Sequence, residues 1–150
     1  MSEQNTKNVT REFLDSLYKN VKMGADSIID LMPKVKDQEL RREMTSELEQ
    51  YEKFAKSIRT ILFKAGEEPK EESFMTKAMT KMGIEMNTMM DSTTPHIAEM
   101  MIKGATMGVT DTTRLIRQYE NTSCSEEALA LARESVSYEE ESIERLKKFL

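Results

Sequence analysis

Apolar side chains return every three to four residues through almost all of this sequence, and few residues in it can turn a chain sharply. Glycine numbers 5 and proline 3 in 150 residues, whereas an all-β chain needs a turn every ten residues or so. The fold class is therefore all-α. The first apolar run reads Leu14, Leu17, Val21, Ala25, Ile28 and Met32, the 3.6-residue repeat of a helix with one buried face. Pro33 stops it, and Asp37 stands where an N-cap is needed for the next helix. That helix carries Leu40, Met44, Leu48, Tyr51, Phe54, Ile58, Ile61 and Ala65 on one side, with Gly66 as its stop and Pro69 beyond. Pro69 suits the first turn of a third helix, where Glu71 and Glu72 would face the positive end of the dipole. Ser92-Thr93-Thr94-Pro95 is the next break, with Thr94 as cap and Pro95 as first helical residue. Ser123 with Glu126 forms a capping box before the last helix, where Leu129, Ala132, Val136, Ile143, Leu146 and Leu150 repeat. The spacing predicts helices over about 9–32, 37–65, 69–91, 95–120 and 125–150 in one domain spanning 1–150.

The connections order these helices. Short links join the first to the second and the fourth to the fifth, so each pair folds as an antiparallel hairpin. Between the hairpins, a helix of roughly 23 residues travels ~35 Å, close to the length of a bundle. Two stretches resemble motifs of a known architecture: Met107-Gly108-Val109-Thr110-Asp111, and Tyr138-Glu139-Glu140-Glu141-Ser142-Ile143-Glu144-Arg145-Leu146. With the short, long, short connections, the chain resembles the ferritin-like superfamily over roughly residues 8–150, in particular its small bacterial four-helix proteins. The resemblance implies a ferritin-like antiparallel four-helix bundle, with the Met-rich helix added in the crossover between bundle helices two and three.

Several function classes have little support. One cysteine, Cys124, leaves no intramolecular disulfide or cysteine-based zinc cluster, and one histidine, His96, leaves no histidine-rich metal site. The net charge of −5 is spread along the chain without a basic stripe, so no nucleic-acid partner is expected. No apolar run approaches the ~18 residues of a membrane span, and no signal sequence opens the chain, so the expected location is cytoplasmic.

Active ferritin-like di-iron proteins hold their metals with inward glutamates and paired Glu-x-x-His motifs. On the apolar face of the second helix the only charged position is Glu47, and on that of the last helix it is Glu139. Both fall where a metal ligand is expected, but Gln50 and Ser142 stand three residues on in place of histidine. The resemblance therefore implies a degenerate di-iron site, and no catalytic residue is assigned. Counted from the same end of the bundle, both carboxylates lie ~15 Å deep in one layer, facing Val21, Gly104 and Ala105. Two buried carboxylates there need a shared proton, a basic partner such as Lys22 or Arg133, or a cation. No cofactor is therefore expected, with iron or manganese on Glu47 and Glu139 as the alternative. His96, with Glu99 three residues on, reads as a solvated or capping residue. Asp111, among Thr110, Thr112 and Thr113, reads as part of an internal network to Tyr18 or Tyr51, or as the lining of a small pocket with Gly104 and Gly108. Cys124 opens the last helix at a positive dipole end, which lowers a thiol pKa, and reads as an inert surface thiol.

Methionine is the other anomaly: 13 in the chain, nine of them between Met75 and Met107. Met75, Met79, Met82, Met86, Met89 and Met90 form a helical stripe. It packs over the bundle, or binds a partner because unbranched thioethers adapt to varied apolar surfaces, or takes Cu(I). The simplest partner is a second copy, giving a homodimer or larger homo-oligomer; an unknown protein partner is the other case. The expected function is a non-catalytic, intracellular binding and assembly module on a ferritin-like bundle. The alternative is a ferritin-like protein binding iron or manganese through a reduced carboxylate site.

Overall fold

A helix leaves its first backbone N–H groups unpaired, and four of the five α-helices among the described residues open on a side chain that accepts one of them. In the computed structural model, which describes residues 2–63, 72–83 and 93–150, the helices are α1 (Glu3–Leu31), α2 (Gln38–Leu62), α3 (Phe74–Met82), α4 (Thr94–Tyr119) and α5 (Glu126–Leu146). Short 3-10 turns follow α1, at Met32–Lys34, and α5, at Lys147–Phe149. Ser2, Asp37, Ser73 and Ser125 accept from the backbone N–H of Asn5, Leu40, Thr76 and Ala128, each worth about 1 kcal/mol. Helix α4 instead enters through Thr93 with Pro95 in its first turn. Among the described residues there is no strand, and no helix is long and apolar enough to cross a membrane.

Several expected boundaries shift. Helix α1 begins at Glu3 rather than near residue 9, because the Ser2 cap extends it through polar residues that carry no apolar repeat. The cap of α5 is Ser125 rather than Ser123, and that of α4 is Thr93 rather than Thr94. Cys124 is drawn into the core, so the chain must pass it before the helix can start. Helix α2 ends at Leu62, where Phe63 turns extended, before the expected stop. Gly66 and Pro69 lie outside the described residues. It is Ser73 that opens α3, and the later part of the expected 69–91 helix also lies outside them.

Cross-helix pairs fix the packing. Along α2, and along α5 with the turn that follows it, Glu39 meets Lys148, Glu43 meets Arg145, Glu47 meets Ser142 and Tyr51 meets Glu139. Numbers rise on one helix as they fall on the other, so the pair is antiparallel. The same holds for α1 and α2, where Tyr18 meets Arg59 and Arg11 reaches the Leu62 carbonyl. Helix α4 packs most extensively on α5 and also on α1, with Asn20 donating to Thr112 at 3.3 Å. The four long helices thus form a ring in the order α1, α2, α5, α4. Phe13, Leu14, Leu17, Leu40, Met44 and Leu48 are among the side chains that fill it. On α5 the buried face runs through Ser135 and Ser142, so Val136 and Ile143, expected inside, are half-buried.

Helix α3 lies against α1, α2 and the Met32–Lys34 turn. It buries Phe74 and Ala78, and it is pinned by Glu52 accepting from the Phe74 N–H at 3.2 Å and by Lys81 on Asp30 at 3.2 Å. Surface ion pairs contribute little, so Phe74 carries the attachment. Phe74→Ala should cost about 3–5 kcal/mol in denaturant unfolding, whereas Lys81→Ala should stay within about 1 kcal/mol.

Candidate functional site

Two glutamates sit in the seam between α2 and α5. Glu47 is only 2% exposed, and Glu139 is also buried. The Ser142 hydroxyl donates to Glu47 Oε1 at 2.5 Å, and the Tyr51 hydroxyl donates to Glu139 Oε2 at 3.2 Å. Among the described residues no N–H or hydroxyl donates to Glu47 Oε2. One turn away, Arg145 Nε donates to Glu43 Oε1 at 2.5 Å and lies over the Tyr138 ring, and Glu43 also interacts with Glu47.

The carboxyls do not form the facing pair expected from their depth. Helical side chains lean toward the N-terminus of their own helix. In an antiparallel pair that sends Glu47 toward the Glu43–Arg145 end and Glu139 the opposite way, toward Tyr51. Each is taken by a hydroxyl from the helix across the seam. The expected basic partners are elsewhere: Lys22 is exposed, and Arg133 lies 3.9 Å from Glu120 and 3.7 Å from Glu126. The cation near the site is Arg145, acting through Glu43.

Small residues on α1 and α4 make the room. A Cβ on Gly108 would stand 2.0 Å from Glu139 Oε2, and one on Gly24 would stand 3.1 Å from the Tyr51 ring. At Gly104 no atom of the described residues comes within 4 Å of such a position. It borders a cavity of about 30 Å³ reached by Glu47 and Tyr51, and a neighbouring cleft of about 60 Å³ lined by Glu139, Asp111 and Asn20. Gly24, Ser27 and Gly104 line both. Spaces of this size hold water or a single ion, not an organic ligand.

Burial sets the chemistry. Desolvation pushes the Glu47 carboxyl up to about 8, against the Ser142 hydrogen bond, which pulls it down, and with Glu43 adding to the rise. Glu139 is raised to about 7, first by burial, with Tyr51 lowering it and Asp111 raising it. The phenols of Tyr51 and Tyr138 are pushed well up, chiefly by burial. The site therefore holds protons that exposed carboxylates release.

The remaining candidates scatter. His96 is half-buried in the first turn of α4. Asp111 is exposed at the cleft, while Thr112 is the buried threonine of that patch. Cys124 is buried rather than on the surface, and burial raises its thiol instead of the helix end lowering it. Of the stripe, Met75 is half-buried against the core, Met79 is 73% exposed and Met82 39% exposed. Met86, Met89 and Met90 lie outside the described residues. Among the described residues, no three His, Cys, Asp or Glu side chains gather as a metal cluster. The sequence reading missed Glu43 and Arg145. Their signal was present as an i, i+4 step to Glu47 on one helix and an i, i+3 step from Ser142 on the other.

Residues 9–118 match a family described as a domain of unknown function, DUF2383, and the chain belongs to that family. The match runs from α1 nearly to the end of α4, so it contains Glu47, Tyr51 and the glycines but ends before Glu139. No curated protein and no solved structure matches the chain.

Two outcomes follow from this geometry. Gly108→Ala should destabilise by about 1–3 kcal/mol through overpacking against Glu139. Gly104→Ala, with open space around it, should stabilise by up to about 1 kcal/mol through helix propensity. Paired thermal melts of the two variants check this opposition. The second outcome concerns pH. The unfolded chain releases these protons above about 4.5, while the folded chain holds them to about 7 and 8. The native state then binds more protons, so stability should fall as pH rises from about 4.5 to 8 and level off above. Urea midpoints across that range should show the fall, on the order of a few kcal/mol, and Glu47→Gln with Glu139→Gln should flatten most of it.

Proposed function

We propose that the chain is a non-catalytic binding and assembly module on a ferritin-like bundle, in which Glu47 and Glu139 remain as structural carboxyls at a reduced site. The observation that carries this reading is that each carboxyl is bound by a hydroxyl from the opposite helix and the two lean apart. The ring order, the antiparallel neighbours and the long connection between α2 and α4 support the ferritin-like assignment and the kinship with small bacterial members. The expected setting is the cytoplasm.

Assembly is assigned to the outer face of α3. Phe74 and Ala78 hold the helix down, which leaves Met79 and Met82 presented outward. The proposed occupant is a second copy of the chain. A two-fold axis sets one methionine face on its equivalent, so thioether meets thioether without a separate complementary surface. Met86, Met89 and Met90 continue the stripe in sequence, beyond the described residues.

Binding of iron or manganese by Glu47 and Glu139 is the second reading, and the unpartnered Glu47 Oε2 favours it. Both are tested on the full chain. Light scattering after gel filtration should give a dimer or larger species, which Met79→Glu with Met82→Glu converts to a folded monomer. A monomeric parent chain would count against assembly. Elemental analysis after anaerobic loading with Fe(II) or Mn(II) should find less than one ion per chain. A stoichiometric ion lost on Glu47→Gln with Glu139→Gln would establish the second reading instead.

A further inference from the structure

The cavity of about 30 Å³ between α1 and α4 combines features that the assembly reading leaves unused. Glu47, on α2, is one wall of it, and among the described residues no N–H or hydroxyl donates to its buried Oε2, the Glu43 carboxyl being the neighbouring polar group. A buried carboxyl oxygen without a donor is destabilising, so a group that pairs with it from the space beside it is favoured. Met100 and Met101 line the same cavity from α4. Met101 is buried and Met100 half-buried, so neither belongs to the exposed stripe on α3. The rest of the lining is glycine, alanine and aliphatic carbon, apart from the hydroxyls of Ser27 and Tyr51. Ser27 already donates to the Met23 carbonyl at 2.9 Å, and Tyr51 to Glu139. The side chains of the lining that can ligate a cation and are not engaged in this way are therefore the Glu47 carboxyl, through Oε2, and the thioethers of Met100 and Met101, beside a space of single-ion size.

Thioethers are soft ligands, and they select a soft ion over the hard cations that carboxylates favour. We propose that this cavity is a Cu(I) site, with Met100, Met101 and Glu47 as its three ligands. Gly104, on the same α4 face, leaves the space open, since a side chain there would project toward it. The inference is independent of the assembly reading, because α3 contributes nothing to the cavity. It also differs from an iron or manganese site on Glu47 and Glu139, because Glu139 does not line this cavity.

The test is an anaerobic titration of the full chain with Cu(I) buffered by bicinchoninate. One tightly held Cu(I) per chain is expected, with release of the proton that the buried Glu47 carboxyl otherwise holds. Met100→Leu with Met101→Leu conserves volume and should keep the fold. That variant should weaken Cu(I) at least about tenfold, as should Glu47→Gln, while Met79→Leu with Met82→Leu changes nothing. Ag(I) added to unmodified protein labelled at the methionine methyls gives a readout that needs no variant. The Met100 and Met101 resonances should move at one equivalent. Movement of the Met79 or Met82 resonances instead, Cu(I) binding retained by the Met100→Leu/Met101→Leu variant, or no Cu(I) binding in the parent chain would overturn the proposal.

Discussion

Taking a carboxyl out of water between two helices is costly unless it is neutral or well paired, and the α2–α5 seam does so twice. The rest of the arrangement follows from how that cost is met. Ser142 stands opposite Glu47 and Tyr51 opposite Glu139, so each acid faces a neutral donor, not a cation. Charge is kept one layer further out, where Glu43 and Arg145 pair at the edge of the seam. A hydroxyl donor stabilises a carboxylate but also tolerates the protonated form, because the hydroxyl can rotate to accept. Burial decides between them, and it favours the proton up to about 7 for Glu139 and about 8 for Glu47.

The direction in which helical side chains lean explains why these two acids are not a pair. Across an antiparallel seam, residues at one level diverge. Glu139 runs under α4, where only a glycine at 108 leaves it space, and Tyr51 runs under α1, where Gly24 does the same. The glycines of α1 and α4 are therefore consequences of large polar side chains on α2 and α5. Gly104 is the exception: no side chain of the described residues fills the space beside it, and the cavity at Glu47 borders it.

Much of this was legible in the sequence. The apolar repeat located the long helices, Asp37 was readable as a cap, and Glu47 and Glu139 stood out as the only acids on their apolar faces. What was not legible depends on direction and rotation, which a repeat does not encode. Counting residues from a common end gives the level of a Cα but not the lean of its side chain, so a facing pair was expected where there are two separate contacts. A modest rotation of α5 exchanges Val136 and Ile143 for Ser135 and Ser142 on the inner face, and apolar periodicity alone favours the wrong pair. Cys124 was read from its place before a helix, yet the turn between α4 and α5 folds it into the core. The polar first turns of α1 carried no repeat and were missed for that reason.

The seam also bears on which part of the chain must fold together. The family match ends at residue 118, before α5, but the α2 half of the site is not self-sufficient. Glu47 takes its hydrogen bond from Ser142, Tyr51 gives its own to Glu139, and Glu43 pairs with Arg145, all across to α5. Helix α4 likewise packs more extensively on α5 than on any other element. Without α5, Glu47 and Tyr51 would lose their donor and acceptor together, and the apolar faces of α2 and α4 would meet water. Burying α2's acid thus requires the helix that lies beyond the match, and the smallest unit consistent with these contacts runs from α1 through α5.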